Sequence, residues 1–215
     1  ELMNLLFSGC SITYGDELQN KFMERFSKLV SDHFAARHSN LSECGISNDN
    51  IVRRTIDRVD KIPPDLIIMQ FTVHQRIEWW SEDGKPHGFT PQRIKDETQR
   101  TYYRDVYTDT QGAENLWKNM FLFDCYCKEK GFKYIPLVAD HFDLIIKHPE
   151  KVFEKGIGDW RRLCEDIPYT FLNQTCLGTS EEFPENYAQG VRGGHPTALG
   201  HRSIADKIIK LIDAI

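Results

Sequence analysis

The chain has 215 residues, enough for one α/β domain around one core, and its make-up of 40% hydrophobic and 27% charged residues is that of an ordinary globular protein. A formal charge of -5, with no basic run or stripe against it, argues against a nucleic-acid binder. No apolar run reaches the roughly 18 residues that a membrane-spanning helix needs, and with no signal peptide legible a cytoplasmic location is the expectation.

The first element is a buried strand over residues 4–8, centred on Leu5-Leu6-Phe7. It runs into Phe7-Ser8-Gly9-Cys10-Ser11-Ile12-Thr13-Tyr14-Gly15, a strand-to-helix turn with glycines where the backbone needs freedom. Ser11 falls at the carboxyl end of the strand, the edge where open α/β sheets bind ligands. Amides at such a helix start can stabilise an oxyanion. A helix is expected over residues 16–38, with Leu18, Phe22, Phe26, Leu29 and Val30 at helical spacing and Asp16 and Gln19 suited to a capping box. Residues 41–45 are either a short second strand or a loop. Gly45-Ile46-Ser47-Asn48 is a turn ending in a helix cap, and Ile51, Val52, Thr55, Ile56 and Val59 carry one helical face to about residue 59. Pro63-Pro64 stops that helix.

Residues 66–71 read as apolar on both faces, as a central parallel strand is. From about residue 73 to 111 the pattern breaks down into polar sequence carrying Trp79, Trp80, Phe89, Tyr102, Tyr103 and Tyr107. The stretch is too long for a plain connector, so it is either a partly helical cap over a substrate or a self-packed insertion. Residues 113–130 form the next helix, with Leu116, Met120, Phe123 and Cys127 inward and Gly131 at its end. A strand follows over residues 132–139, in which Pro136 signals a bulge or an edge. After a second variable region over 140–165, a short strand is expected at 169–172 and a final helix at 197–214. This alternation predicts a parallel sheet between two helical layers, with no internal repeat or linker.

The six cysteines, Cys10, Cys44, Cys125, Cys127, Cys164 and Cys176, match no disulfide framework and read as mostly buried thiols in a reducing compartment. Cys125 and Cys127 are too close for the usual zinc pair, and Asp140, His141, Asp143 and His148 lack a helix-spaced ligand pair. No metal and no other cofactor is expected.

A serine nucleophile needs a base, because its hydroxyl hardly ionises at neutral pH. The candidate is His195 in Gly193-Gly194-His195-Pro196-Thr197-Ala198-Leu199-Gly200-His201, on a glycine-rich loop just before the last helix. His201, inside that helix, is expected to pack or cap. Arg76 and Arg192 are ligand candidates at the active edge, and Arg76 suits a carboxylate or phosphate. Arg53-Arg54 and Arg161-Arg162 read as solvated faces.

These residues resemble the blocks of the SGNH/GDSL hydrolase family, in order and across nearly the whole chain. Residues 9–15 resemble the first block, Gly45-Ile46-Ser47-Asn48 the second, the strand end at Thr72 the third, and His195-Pro196 with Gly200-His201 the last. The resemblance implies a flavodoxin-like three-layer α/β/α sandwich that hydrolyses or transfers acyl groups without a cofactor. It implies Ser11 as nucleophile, the Ser11 and Gly45 amides as oxyanion donors, and His195 as general base and then acid. Three positions depart from the pattern. Cys10 replaces the usual Asp. Thr72 stands where an Asn should complete the oxyanion hole, so that Asn48, Thr72 or His74 must substitute, Asn48 first. Arg192 or Gly193 stands where an Asp should orient His195, leaving that task to a backbone carbonyl or to a carboxylate from elsewhere.

The expected function is a serine esterase acting on a small acyl ester, such as an O-acetyl group on a sugar, with His74, Arg76, Trp79, Trp80 and Arg192 binding substrate. An acyltransferase with the same Ser–His pair and a degenerate module binding glycan or protein are the alternatives. The expected partner is thus a small-molecule or glycan ester, with no nucleic acid and no membrane span.

Overall fold

The structure is a computed structural model that describes residues 2–139, 160–172, 176–177, 184–186 and 195–215. Strand β1 (Asn4–Ser8) leads into a single helical turn, α1 (Ser11–Tyr14). Two short helices follow, α2 (Lys21–Glu24) and α3 (Phe26–His33), then strand β2 (Arg37–Asn40). Helix α4 (Asn48–Lys61) and strand β3 (Leu66–Phe71) come next. A hairpin of β4 (Ile77–Trp80) and β5 (Pro86–Phe89) opens the aromatic stretch, which continues through α5 (Glu97–Thr101) and a wide π turn at Tyr102–Val106. The long helix α6 (Asp109–Lys130), β6 (Tyr134–Val138), α7 (Trp160–Leu163), β7 (Thr170–Phe171) and α8 (Ala198–Ile212), with short 3-10 turns at Pro91–Arg93 and Pro184–Asn186, complete the described elements.

Five strands form one parallel sheet in the order β2-β1-β3-β6-β7. Successive residues of β1 and β3 face opposite layers, so each strand feeds two cores. Leu6, Ile67, Met69 and Phe71 pack with Ile51, Val52 and Val59 of α4 and Leu116, Trp117, Met120 and Phe123 of α6. Leu5, Phe7, Leu66 and Ile68 pack on the other face with Phe26 and Val30 of α3 and Ile204, Ala205 and Ile208 of α8. This is the expected three-layer α/β/α arrangement. The chain leaves β1 towards β2 on one side and returns to β3 on the other, so the crevice at the carboxyl ends of β1 and β3 is the switch point of the sheet.

The single helix expected over residues 16–38 is not formed. Glu17 takes a left-handed φ of 69° and Ala35 one of 47°, and Arg25 between α2 and α3 is extended at φ -66°, ψ 144°. With the helix broken, Phe22 falls off the expected apolar face and is exposed, while Phe26 and Val30 stay buried, and pairing of Arg37–Asn40 with β1 fixes where the helical part must end. The capping box of Asp16 and Gln19 gives way to Asn20, whose N–H donates to Glu24 Oε2 at 3.0 Å. The second strand lies just before residues 41–45, which are loop. Pro136 lies inside the sheet, opposite Met69. It is tolerated there because β7 pairs only with Leu137 and Val138.

All six cysteines are free, with Cys10, Cys127 and Cys164 buried, Cys44 and Cys176 half-buried and Cys125 exposed. Among the described residues no helix is long and apolar enough to cross a membrane. Among them, too, no group of three or more His, Cys, Asp or Glu side chains could hold a metal ion. The loop residues Asp140, His141, Asp143 and His148 lie outside the described residues, as do Arg192 and Gly193.

Candidate active site

The turn after β1 is held by a side chain from β3. Gln70 Oε1 accepts from the Cys10 N–H at 3.1 Å, from Cys10 Sγ at 3.4 Å and from Thr13 Oγ1 at 2.8 Å. Its Nε2 donates to the Phe71 carbonyl at 3.1 Å. A β-carbon at Gly9 would stand 2.4 Å from Thr13 Oγ1 and 2.8 Å from Gln70 Cβ, so glycine is needed there for close approach. The sequence reading missed Gln70. Its one signal was an amide inside an otherwise apolar, fully buried strand, a place where a polar group must find partners.

Ser11 is 5% exposed, at the first position of α1. Its hydroxyl donates to Cys10 Sγ at 3.8 Å, and among the described residues no hydrogen bond joins it to His195. Its carbonyl accepts from the N–H groups of Gly15 and Asp16, both at 3.0 Å, which closes the turn behind it.

The loop carrying Gly45 lies against this turn. The Glu43 N–H donates to the Gly9 carbonyl at 3.2 Å, and burial together with the neighbouring Asp16 pushes the Cys44 thiol up to about 11. Gly45 has a φ of 81°, a conformation that favours glycine, although a β-carbon there would meet nothing within 4 Å. Ser47 then caps α4 by accepting from the Asn50 N–H at 3.3 Å.

Asn48 and Thr72 are tied together. Asn48 Oδ1 accepts from the Thr72 N–H at 2.7 Å, and its Nδ2 donates to the Thr72 carbonyl at 3.0 Å. The amide therefore clamps the end of β3 to the first turn of α4, leaving its second N–H for any other acceptor. Thr72 Oγ1 accepts from Arg76 Nη1 at 2.8 Å. Burial pushes the Cys10 thiol up, but the Arg76 guanidinium and hydrogen bonds from Thr72, the Ile12 amide and Gln70 outweigh it and hold the thiol below its ordinary value. The surroundings of residue 10 thus favour negative charge. His74 is buried with Nε2 3.3 Å from Asp109 Oδ1, under a tight crossing where a β-carbon on Gly112 would come 2.8 Å from its carbonyl.

His195 comes to the same edge from the other end of the chain. Thr197 caps α8, accepting from the Gly200 N–H at 3.2 Å, and its own N–H donates to the Asn186 carbonyl at 2.9 Å. This fixes the approach of Pro196 and His195. His195 Nδ1 lies 3.3 Å from Glu17 Oε2, on the segment that leaves the Ser11 turn. His201 is buried, stacks on Phe26 at 5.7 Å and accepts the Phe26 N–H on Nδ1 at 3.2 Å, the packing role expected of it.

The aromatic stretch forms a cavity of about 550 Å³ lined by Trp79, Trp80, Tyr102, Tyr107 and Trp160, with Asp49, Glu78, Glu114, Asn115 and Lys118 among its polar lining. Ser11 is not among its lining residues. Asp49, next to Asn48, lines it, and β5 of the same hairpin passes the Gly45 loop, where a β-carbon on Gly88 would lie 3.6 Å from the Gly45 carbonyl. Trp79 and Trp80 are about half exposed. Glu78 receives Arg53 at 2.6 Å, and that guanidinium lies 5.2 Å from the Trp80 ring.

No protein-family model matches the sequence, and no curated protein matches it. Solved structures do. A lipolytic protein of the G-D-S-L family from Desulfitobacterium hafniense is similar with a TM-score of 0.60 at 10% identity, over 97% of this chain and 98% of that one. The psychrotrophic esterase EstA from Pseudoalteromonas sp. is similar with a TM-score of 0.58 at 13% identity, over 98% of both chains. The salicylyl-acyltransferase SsfX3 from a tetracycline biosynthetic pathway gives a TM-score of 0.57 at 14% identity, over 100% of this chain and 55% of that one. With its five-stranded parallel sheet between two helical layers, this chain has the fold of the SGNH/GDSL hydrolases.

Proposed function

We propose that the chain is a serine esterase of the SGNH kind acting on a small acyl ester. The observation that supports this best is the meeting at one sheet edge of the Ser11 turn, the Gly45 loop and His195, from three distant parts of the chain. Ser11 Oγ would attack the ester carbonyl carbon as its proton passes to His195 Nε2. The resulting oxyanion would be held by the Ser11 and Gly45 amides, in surroundings already biased towards negative charge by Arg76. Collapse of this intermediate would expel the alcohol, which takes the proton from His195. Water would then repeat the cycle and release the acid.

The aromatic cavity suits the alcohol part of the ester. Its Trp and Tyr faces fit a sugar ring and its amides and carboxylates fit hydroxyl groups, which favours a carbohydrate O-acyl ester. Acyl transfer is the second reading, favoured by the likeness to an acyltransferase and by room for an acceptor alcohol in that cavity. The test is labelling with a fluorophosphonate and hydrolysis of p-nitrophenyl acetate by wild type, Ser11→Ala and His195→Ala. Labelling at Ser11 that both variants lose is expected. A wild type that neither labels nor hydrolyses would leave a non-catalytic binding module as the better reading.

A further inference from the structure

We propose that Glu17 is the positioning residue for His195, supplying the carboxylate that the chain lacks just before the histidine. The proposal rests on the hydrolase reading above, but its first measurement does not. His195 Nδ1 is buried and, among the described residues, has no aligned hydrogen-bond partner. The Glu17 carboxylate lies 3.3 Å from it, and the two side chains are only 20% and 18% exposed. Among the described residues neither makes another ion pair.

The backbone at Glu17 is the second observation. Its φ of 69° is one that residues other than glycine, asparagine and aspartate seldom adopt. Glycine would sit there with less strain, as Gly15 does two residues earlier at 82°. Strain of this kind points to a local task for the side chain. The turn is rigid, since the N–H groups of Gly15 and Asp16 both donate to the Ser11 carbonyl. One short segment thus fixes the nucleophile and, six positions on, the carboxylate.

Among the described residues, the titratable groups set against His195 are Glu17, on the segment after α1, and His201, on α8, which burial pushes down to about 3 and so keeps neutral. With a hydrogen on Nδ1, 3.3 Å from the Glu17 carboxylate, a small turn of the ring would complete that hydrogen bond and present Nε2 as the base towards Ser11. The carboxylate then stabilises the imidazolium formed when Nε2 takes the serine proton.

The test uses the intact chain with Glu17→Gln and Glu17→Gly. By ¹⁵N NMR of the neutral ring, His195 should hold its proton on Nδ1 in wild type and lose that preference in Glu17→Gly. The kcat for p-nitrophenyl acetate should fall on the order of 10-fold to 100-fold with KM little changed, and the pH–rate profile should change shape on its acidic side. Glu17→Gly should melt no lower than wild type because it relieves the turn, so a lost rate cannot be assigned to unfolding. A His195 ring that keeps the wild-type tautomer in Glu17→Gly, or a kcat that does not change, overturns the proposal. If wild type itself shows no esterase activity and no labelling of Ser11, the hydrolase reading falls instead, and the tautomer measurement alone decides whether Glu17 and His195 are paired.

Discussion

Replacing Gln70 by methionine keeps the length and shape of the side chain and removes its amide. In the wild type that amide satisfies two buried donors on the Ser11 turn, the Cys10 N–H and the Thr13 hydroxyl. Both residues are almost fully covered, at 2% and 0% exposure, so water cannot replace the lost oxygen. An orphaned buried donor costs about 1–3 kcal/mol, and two of them roughly 2–6 kcal/mol. The lower half of that range is favoured, because methionine no longer has an amide to desolvate. In a domain of this size about 1 kcal/mol moves the melting midpoint by ~2–4 °C, so a fall on the order of 5–15 °C is expected. The consequence for chemistry is separate. Gln70→Met should slow fluorophosphonate labelling even at 20 °C, roughly the temperature of greatest stability for such domains, where the variant is still folded. A midpoint within about 2 °C of wild type, with an unchanged labelling rate, would refute the claim that Gln70 holds the turn.

His201 predicts a pH dependence. Below about pH 6.5 the unfolded chain binds a proton that the buried ring refuses until about pH 3, so stability is lost as pH falls through that window, by up to ~1.4 kcal/mol per unit. His201→Asn keeps an acceptor for the Phe26 N–H and should flatten the profile of urea midpoints between about pH 6.5 and pH 4; an unchanged profile would show that another group sets it. Gly112→Ala should destabilise by about 1–3 kcal/mol despite alanine's better helix propensity, because its β-carbon meets the Tyr107 hydroxyl and the His74 carbonyl. A rise in melting temperature would contradict that packing. The double variant Trp79→Ala, Trp80→Ala should raise KM for an acetylated oligosaccharide while sparing p-nitrophenyl acetate, and equal effects on both substrates would remove the cavity from substrate binding.

The layers of the fold were legible because they follow hydrophobic periodicity. Residues 66–71 and the faces of α4 and α6 bury most of the apolar positions that their spacing predicts, and α8 buries Ile204 and Ile208 while Ile215, past its end, is exposed. Strand β2 was not legible, because Arg37-His38-Ser39-Asn40 carries no apolar alternation. It is an edge strand placed by backbone pairing with β1. Pairing across the sequence also hid the support of the site. Gln70 acts on residues about sixty positions away, so its only local signal is an amide inside an apolar strand, and Asn48, named as a candidate, gives no local sign of the backbone segment twenty-four positions on that it clamps.

Glu17 was hidden for a different reason. Every local cue around it, from Asp16 and Gln19 through Leu18 and Phe22, favours a continuous helix, in which Glu17 would be one more solvated charge. The structure breaks the helix there and covers the side chain against His195. A segment that departs from its own local preferences needs compensation from outside; at Ala35 the departure serves the entry into β2, while others fall at the candidate site. The left-handed backbone at Glu17, the close approach at Gly9 and the positive φ of Gly45 all fall on the carboxyl edge of β1 and its neighbours. The residues that sequence periodicity fails to explain are therefore the ones to mutate first.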